Sequence, residues 1–470
     1  MIQFGTGGWR ALIGDDFTKR NVQILCASIA QLMKETDAAK RGIVIGFDRR
    51  FLSDVAAFWA AEVFAAQGIP CRLIRKSAPT PLIMYAVKEM DFPFGMAVTA
   101  SHNPALWNGI KVFISGGRDA DEGTTKAIEA YTDGLASAEI AVMPYEDGLA
   151  SGIIQEIDPL NQYIDSILSV IDTEAIKNAR LKIVLDPMYG VSKTSLSTIL
   201  ISARCDVSVI HDRHDTLFGG KLPSPNESTM TDLINMVLEQ EADIGIATDG
   251  DADRLGIINN KGEFLHPNEI LVLLYYYLVQ YKGMRGAVVR NLCTTHLLDK
   301  LAESFGEVCY EVPVGFKHVS SKMLEANAIL GGESSGGLTV RGHVSGKDGI
   351  YAAALLVEMI AITGRPLSDI YKEITDKFGE VFMAESSLPF KQSRKEEILH
   401  TVMTEKALPA FARPVKEALY YDGLKVVFEG GYWLSARFSG TEPLLRIFCE
   451  MPSMEEAREA CALMQDFLQL

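Results

Sequence analysis

Three times this chain runs from a short, almost wholly apolar stretch through a loop of small and polar residues into a helical pattern. The stretches are GIVIGFDRR (42–50) into DVAAFWAAEVFAAQG, LKIVLDPMYG (181–190) into VSKTSLSTILISA, and GAVVRNLCTTHLLDKLAES (286–304). A strand that is apolar on both faces must be covered on both faces, so each stretch predicts a sheet flanked by helices. The tail reads differently. GLKVVFE and YWLSARFSG are strand patterns, and SMEEAREACALMQDFL closes the chain with a helical one. The expected fold is α/β: three similar α/β domains with mixed, largely parallel sheets covered by helices, plus a smaller C-terminal α+β domain. The boundaries fall at 1–150, 151–255, 256–375 and 376–470, with the small-residue stretch DGLASAEIAVMPYEDGLASG (133–152) as a linker and a stretch near 361–380 separating the third domain from the tail. A chain of 470 residues can bury that many cores.

Charge and cysteine usage narrow the function. With 61 acidic against 45 basic residues the net charge is −16, which argues against nucleic acid and anionic membranes as partners. The longest apolar run, ILVLLYYYLVQY, is too short to span a bilayer and reads as a buried helix begun at Asn268. Seven cysteines, widely spaced and without a C-x-x-C pair, fit neither a disulfide framework nor a zinc knuckle. Without a signal-peptide pattern at the start, the expected compartment is the reducing cytoplasm.

The sharpest local pattern is TDGDADR (248–254), directly after the apolar ADIGIA. Its carboxylates, Asp249, Asp251 and Asp253, alternate with small residues in a loop at a strand's carboxyl end, where open α/β sheets bind ligands. Three ionised carboxylates ~5 Å apart repel pairwise by roughly 3 kcal/mol at an effective dielectric of 20, and Arg254 relieves only part of that. A divalent cation is the economical answer, and oxygen-only donors point to magnesium. An EF-hand is excluded, because Arg254 stands where its glycine belongs and Asn260 where its glutamate belongs.

Two further loops can handle phosphate. ILGGESSGGLTVRG (329–342) is freed by Gly331, Gly332, Gly336 and Gly337 but is no Walker loop, since Gly337 occupies the lysine position; GTGGWR at the start is no dinucleotide fingerprint. In ARFSGTEPLLRIFCE (436–450), Arg437 and Arg446 flank Ser439, Gly440 and Thr441, a composition suited to wrapping an anion. A fourth stretch, TASHNPALWNGIK (99–111), places Ser101, His102, Asn103 and Pro104 in one turn between two apolar strands, with Lys111 beyond it.

TASHNP, DGDADR, a G-E-x-S-G loop and R-x-S-G-T-E-P, in this order and across almost the whole chain, resemble the α-D-phosphohexomutase family, the phosphoglucomutase and phosphomannomutase group. The resemblance implies that Ser101 carries the phosphoryl group and shares a magnesium ion with Asp249, Asp251 and Asp253. His102 and Arg10 would neighbour the phosphoserine. Lys111 would exchange a proton with the sugar hydroxyl, a role that needs a lowered pKa. Glu333 and Ser335 would read the sugar, with Lys317 facing the substrate. Arg437, Ser439, Gly440, Thr441 and Arg446 would hold the phosphate that stays.

The resemblance also implies that the four domains stand around a central cleft. The implied activity interconverts hexose 1-phosphate and hexose 6-phosphate, glucose first, with mannose, glucosamine and pentose phosphates as alternatives. A hexose 1,6-bisphosphate would be both intermediate and primer. A phosphoserine-dependent phosphatase and a non-catalytic phosphosugar-binding protein are readings of other classes. The expected partner is a small phosphosugar, and the expected state a monomer or homodimer. One departure stands out: many members have a histidine where this chain has Gly337, and His343, six residues on, is the candidate to replace it.

Overall fold

The computed structural model describes residues 2–5, 7–438 and 444–470. It divides into two compact units, Met1–Ile270 with Ser335–Leu367 and Leu271–Ser334 with Ser368–Leu470.

The first unit holds two sheets. One comprises β1 (Phe4–Gly5), β2 (Gly8–Leu12), β3 (Ile43–Phe47), β4 (Cys71–Ile74), β5 (Phe94–Val98), β6 (Trp107–Ile114), β7 (Arg118–Asp119) and β8 (Ile154–Ile157). Their order is β1-β2-β6-β5-β3-β4-β8, with β7 beside β6. Strand β3, IVIGF, is buried throughout because both of its faces are covered. Ile43, Ile45 and Phe47 join the core of the helices Lys19–Lys34 and Ser53–Ala66. On the other face the helix Thr80–Glu89 comes so close that a Cβ on Gly46 would lie 2.5 Å from Ile83. Burial of this kind stabilises by about 25 cal/mol per Å² and explains the absence of polar alternation in the strand.

The second sheet comprises β9 (Lys182–Asp186), β10 (Asp206–Val209), β11 (Ile244–Thr248), β12 (Leu255–Asn259) and β13 (Phe264–Leu265), in the order β10-β9-β11-β12-β13. The first three run parallel and β12 returns antiparallel to β11, with Thr248 opposite Leu255. TDGDADR is therefore the tight reversal between a parallel core strand and an antiparallel one.

In the second unit, β14 (Val288–Asn291), β15 (Cys309–Val312) and β16 (Leu330–Gly332) are parallel, with the helix Phe316–Ala326 packed on them. A short strand, β17 (Leu338–Val340), and the apolar helix Gly349–Thr363 belong to the first unit. The last sheet, also in the second unit, comprises β18 (Phe382–Pro389), β19 (Val415–Leu419), β20 (Leu424–Phe428), β21 (Trp433–Phe438) and β22 (Leu444–Met451). All its pairings are antiparallel, in the order β18-β22-β21-β20-β19, and the helix Met454–Phe467 covers it.

Three α/β sheets and a C-terminal antiparallel one match the expected class, and three details differ. The first sheet is only half parallel, because β2 and β6 extend it with antiparallel strands. It also takes in β8, past residue 150, and the second sheet runs on to Leu265, past residue 255. The stretch near 361–380, before the tail, is largely the helix Leu367–Phe378. Among the described residues no single helix is long and apolar enough to cross a membrane. None of the seven cysteines forms a disulfide.

Candidate active site

The turn that carries Ser101 joins β5 to β6, and its shape is dictated by buried polar groups. Ser101 has φ 54°, a left-handed conformation that non-glycine residues adopt at a cost, and it is fully buried. Its N–H donates to Thr99 Oγ1 at 2.8 Å, and the Thr99 hydroxyl donates to Asp48 Oδ2 at 2.6 Å. Arg50, from the DRR after β3, fans its guanidinium into the turn. Nη2 donates to the carbonyls of Ser101 (2.5 Å) and Asn103 (2.7 Å), and Nη1 to those of Pro104 (2.9 Å) and Trp107 (3.1 Å). Five fixed donors on a planar group suit this task, which lysine could not perform. Phe218 lies under that guanidinium, 4.8 Å from its carbon to the ring centre.

The reversal after β11 meets this turn directly. Ser101 Oγ donates to Asp249 Oδ2 at 2.8 Å. A Cβ on Gly250 would sit 2.7 Å from the Ser101 carbonyl oxygen, so only glycine allows the two loops to approach this closely. Asp249, Asp251 and Asp253 are fully buried, and one carboxylate oxygen from each lies within 4.8 Å of the others. Thr80 Oγ1 donates to Asp251 Oδ2 at 2.6 Å, and the Arg254 N–H to Asp249 Oδ1 at 3.1 Å. Burial and the two neighbouring carboxylates push Asp249 up to about 8. Asp251 Oδ1 and Asp253 Oδ1 are buried and accept no hydrogen bond among the described residues. Buried carboxylate oxygens left without donors are expensive. The trio therefore fits a divalent cation, which would satisfy those oxygens and offset the mutual repulsion.

In this structure lysines supply the positive charge. Lys111 Nζ lies 2.6 Å from both Asp251 Oδ2 and Asp253 Oδ2, and Lys347 Nζ lies 2.7 Å from Asp253 Oδ2. Burial works against a charged Lys111, but Asp251 and Asp253 outweigh it and hold its pKa above the ordinary value. The lowered pKa expected from the sequence is not found, for that reason. Asp253 is held well below the usual carboxylate range: burial opposes ionisation, and Lys111, Lys347 and Arg254 overcome it. Arg254 and burial, with Arg10, drive His102 well below its ordinary value, so its imidazole is neutral; its Nδ1 lies 3.4 Å from Ser101 Oγ. Arg10 Nη1 donates to Asn103 Oδ1 at 2.8 Å, and burial and Arg254 lower its pKa.

His343, the candidate to replace the missing histidine, faces Asp348. Its Nε2 pairs with Asp348 Oδ2 at 3.0 Å, and its ring packs among Tyr85, Tyr163 and Tyr351. Lys347 takes the space instead: a Cβ on Gly337 would lie 2.3 Å from Lys347 Cδ. The glycine and the lysine form one arrangement, ten residues apart in sequence, that puts a cation on Asp253.

In the second unit, Glu333 is buried at the end of β16 and its Oε1 accepts from Asn291 Nδ2 (2.9 Å) and the Gly315 N–H (3.0 Å). Lys317 lies in the first turn of the helix Phe316–Ala326. Arg437 and Arg446 stand directly opposite each other on β21 and β22, and Arg437 Nη2 donates to Asp422 Oδ1 at 2.8 Å. Ser335, in the first unit, is exposed. Ser439, Gly440 and Thr441 lie outside the described residues. Sequence reasoning missed Asp48, Arg50, Thr80 and Lys347. The DRR that ends the first apolar stretch was the one available signal, because charges placed directly after a buried strand point into the ligand-binding edge.

The four descriptions of the phosphoglucomutase/phosphomannomutase domains match this chain in order: α/β/α domain I at residues 1–139, II at 161–262, III at 266–378, and the C-terminal domain at 400–466. A Thermococcus kodakarensis protein named phosphoglucomutase/phosphomannomutase is 30% identical, over 97% of this chain and 96% of its own. A phosphoglucosamine/phosphogalactosamine mutase of Sulfurisphaera tokodaii is 26% identical, over 95% and 94%. The crystal structure of a Thermus thermophilus protein assigned as a phosphomannomutase superposes with a TM-score of 0.86 at 28% identity, covering 100% of this chain and 99% of that one. Fold and site together define a phosphohexomutase, an isomerase that works as an intramolecular phosphotransferase. The chain belongs to the phosphoglucomutase/phosphomannomutase family.

Proposed function

We propose that the protein interconverts hexose 1-phosphate and hexose 6-phosphate through a phosphoserine at Ser101, with glucose phosphates as its first substrate and mannose phosphates, which differ only at C2, as its second. The observation that carries this reading is the 2.8 Å hydrogen bond from Ser101 Oγ to Asp249, inside a trio of carboxylates with two buried oxygens that accept no hydrogen bond among the described residues. A serine buried among carboxylates is a poor site for a ligand hydroxyl and a good one for a phosphoryl group that brings its cation.

In each half-reaction the phosphoryl group leaves one oxygen for another. The P–Oγ bond of Ser101 breaks as the P–O bond to the free sugar hydroxyl forms, giving the hexose 1,6-bisphosphate. That hydroxyl gives up its proton as the freed Ser101 Oγ takes one, so the half-reaction closes. After the bisphosphate reorients, its other phosphoryl group returns to Ser101 Oγ, which gives up its proton as the released sugar oxygen takes one. Lys111, held charged by Asp251 and Asp253, is poised to give a proton to the departing oxygen and to recover one from the attacking hydroxyl. Arg50 fixes the turn carbonyls so that Oγ keeps its position as charge moves. Arg10, Arg254 and Lys347 surround the transfer site with positive charge. Asp249, Asp251 and Asp253 would hold magnesium, which when bound supplies Lewis-acid stabilisation of phosphoryl oxygens. Glu333 and Lys317 would contact the sugar, and Arg437 the phosphate not in transfer. Hexosamine phosphates are the second reading, favoured by the name of the Sulfurisphaera relative.

Phosphorus NMR of the purified protein with magnesium, a trace of glucose 1,6-bisphosphate and, in turn, glucose, mannose and glucosamine 1-phosphates tests the assignment. The expected result is conversion to the 6-phosphate, fastest for glucose and with no release of inorganic phosphate. No conversion of any hexose phosphate would overturn it, and steady phosphate release would replace the mutase with a phosphatase.

A further inference from the structure

In the second unit, one carboxylate joins the two places expected to grip the substrate. Asp422, in the turn before β20, uses each oxygen once: Oδ1 accepts from Arg437 Nη2 at 2.8 Å, and Oδ2 accepts from the Val314 N–H at 2.7 Å. The next N–H along that main chain, of Gly315, donates to Glu333 Oε1 at 3.0 Å. Gly315 has φ 125°, so the peptide is presented by a backbone that few other residues could adopt. Asn291 completes the support. Its Nδ2 donates to the same Glu333 oxygen, while its Oδ1 accepts from Thr294 Oγ1 (2.8 Å) and the Cys293 N–H (3.0 Å).

The arginine end is held just as closely. A Cβ on Gly423 would lie 2.7 Å from the Ala436 carbonyl oxygen and 3.0 Å from Arg437 Cγ, so the turn carrying Asp422 is seated directly on the arginine stem. Arg437 Nε is buried and has no hydrogen-bond partner among the described residues. The guanidinium is thus restrained by one edge and keeps donors for an anion. A bridging carboxylate with both oxygens engaged cannot rotate without breaking a bond. Movement of Arg437 therefore reaches Val314, and through the adjoining peptide it reaches Glu333.

We propose that Asp422 is a positioning residue that couples the arginine clamp on the resting phosphate to the carboxylate that reads the sugar, so that each half of the substrate tightens the grip on the other. The proposal rests on the roles given above to Glu333 and Arg437. It predicts cooperation between the two ends of a hexose phosphate, and weak binding of inorganic phosphate or of unphosphorylated hexose alone.

A double-mutant cycle tests it. Asp422→Ala, Glu333→Gln and Arg437→Lys, singly and in pairs, are assayed for KM and kcat with glucose 1-phosphate. Asp422→Ala is expected to raise KM about tenfold, more than it lowers kcat. Combined with Glu333→Gln it should raise KM at least about fivefold less than the product of the single effects. Asp422→Asn, which keeps the shape but must turn an amide donor toward Arg437 or the Val314 N–H, should fall between wild type and alanine. It replaces the alanine variant if melting shows that variant unfolded. Multiplicative effects within about twofold, or an unchanged KM in both Asp422 variants, would overturn the coupling. If Glu333→Gln and Arg437→Lys themselves left KM unchanged, the assignment of the sugar and phosphate contacts would fall instead.

Discussion

The two regions of this molecule proposed to handle phosphate are built in opposite ways. Around Ser101 the groups are fully buried, drawn from two sheets, and fixed by bonds from Arg50, Thr80, Thr99 and Asp48. On the C-terminal sheet, Arg437 is only partly covered, Arg446 is exposed, and both come from one antiparallel hairpin. The first pattern suits a covalent step, where transition-state charge must meet dipoles that do not reorganise. The second suits reversible binding, where charge in high dielectric contributes little and can be left quickly. An enzyme that lends a phosphoryl group at one end of a sugar while loosely holding the other needs both.

The contrast can be broken most severely at Ser101. Ser101→Ala should lower turnover at least about 10⁴-fold while leaving the fold intact, since alanine removes the hydrogen bond to Asp249 and no apolar contact. Removal of divalent cations by EDTA, or Asp251→Asn, should cost about 10³-fold, and magnesium should restore only the chelated wild type. Gly250→Ala is the sharpest steric test. Its Cβ would press on the Ser101 carbonyl from 2.7 Å, and a displacement of that size should cost about 10²-fold in kcat with little change in KM. On the hairpin the effects should be smaller and of the other kind: Arg437→Ala should raise KM about tenfold, and the exposed Arg446→Ala about twofold, with kcat nearly kept.

The smallest effect concerns pH. His211 Nδ1 lies 2.9 Å from Asp186 Oδ2, and Nε2 lies 3.3 Å from Asp232 Oδ2; its hydrogen bond to Asp186 raises its pKa. A raised histidine contributes fully below its unfolded value near 6.5, and the contribution is lost as pH rises through the higher folded value. The Tm advantage of wild type over His211→Gln should therefore shrink as pH rises above about 6.5.

Much of the fold was legible because burial on two faces leaves a local signature. IVIGF, KIVLD and VVRN are strands whose apolar runs announce helices on either side. The edges were not legible: β8, IQEI, is mostly exposed and short, so nothing in it signals that it completes the first sheet. The acidic trio could be read because its residues lie in one turn, whose position after a buried strand says that they converge. Lys347 could not, since its approach to Asp253 depends on the space left by a glycine ten residues away. Nor could the raised pKa of Lys111, because it follows from a lysine of one sheet meeting carboxylates of another. Arg50 belongs to the same group, since its four carbonyl partners lie more than 50 residues away in sequence.

The central claim is that Ser101 takes and returns a phosphoryl group. Intact-mass and peptide analysis of the protein incubated with glucose 1,6-bisphosphate and magnesium tests it directly. One phosphoryl group should appear on the peptide containing Ser101 and vanish when glucose 1-phosphate is added in excess, with the bisphosphate recovered. A protein that gains no phosphoryl group, or gains it at another residue, would contradict the account.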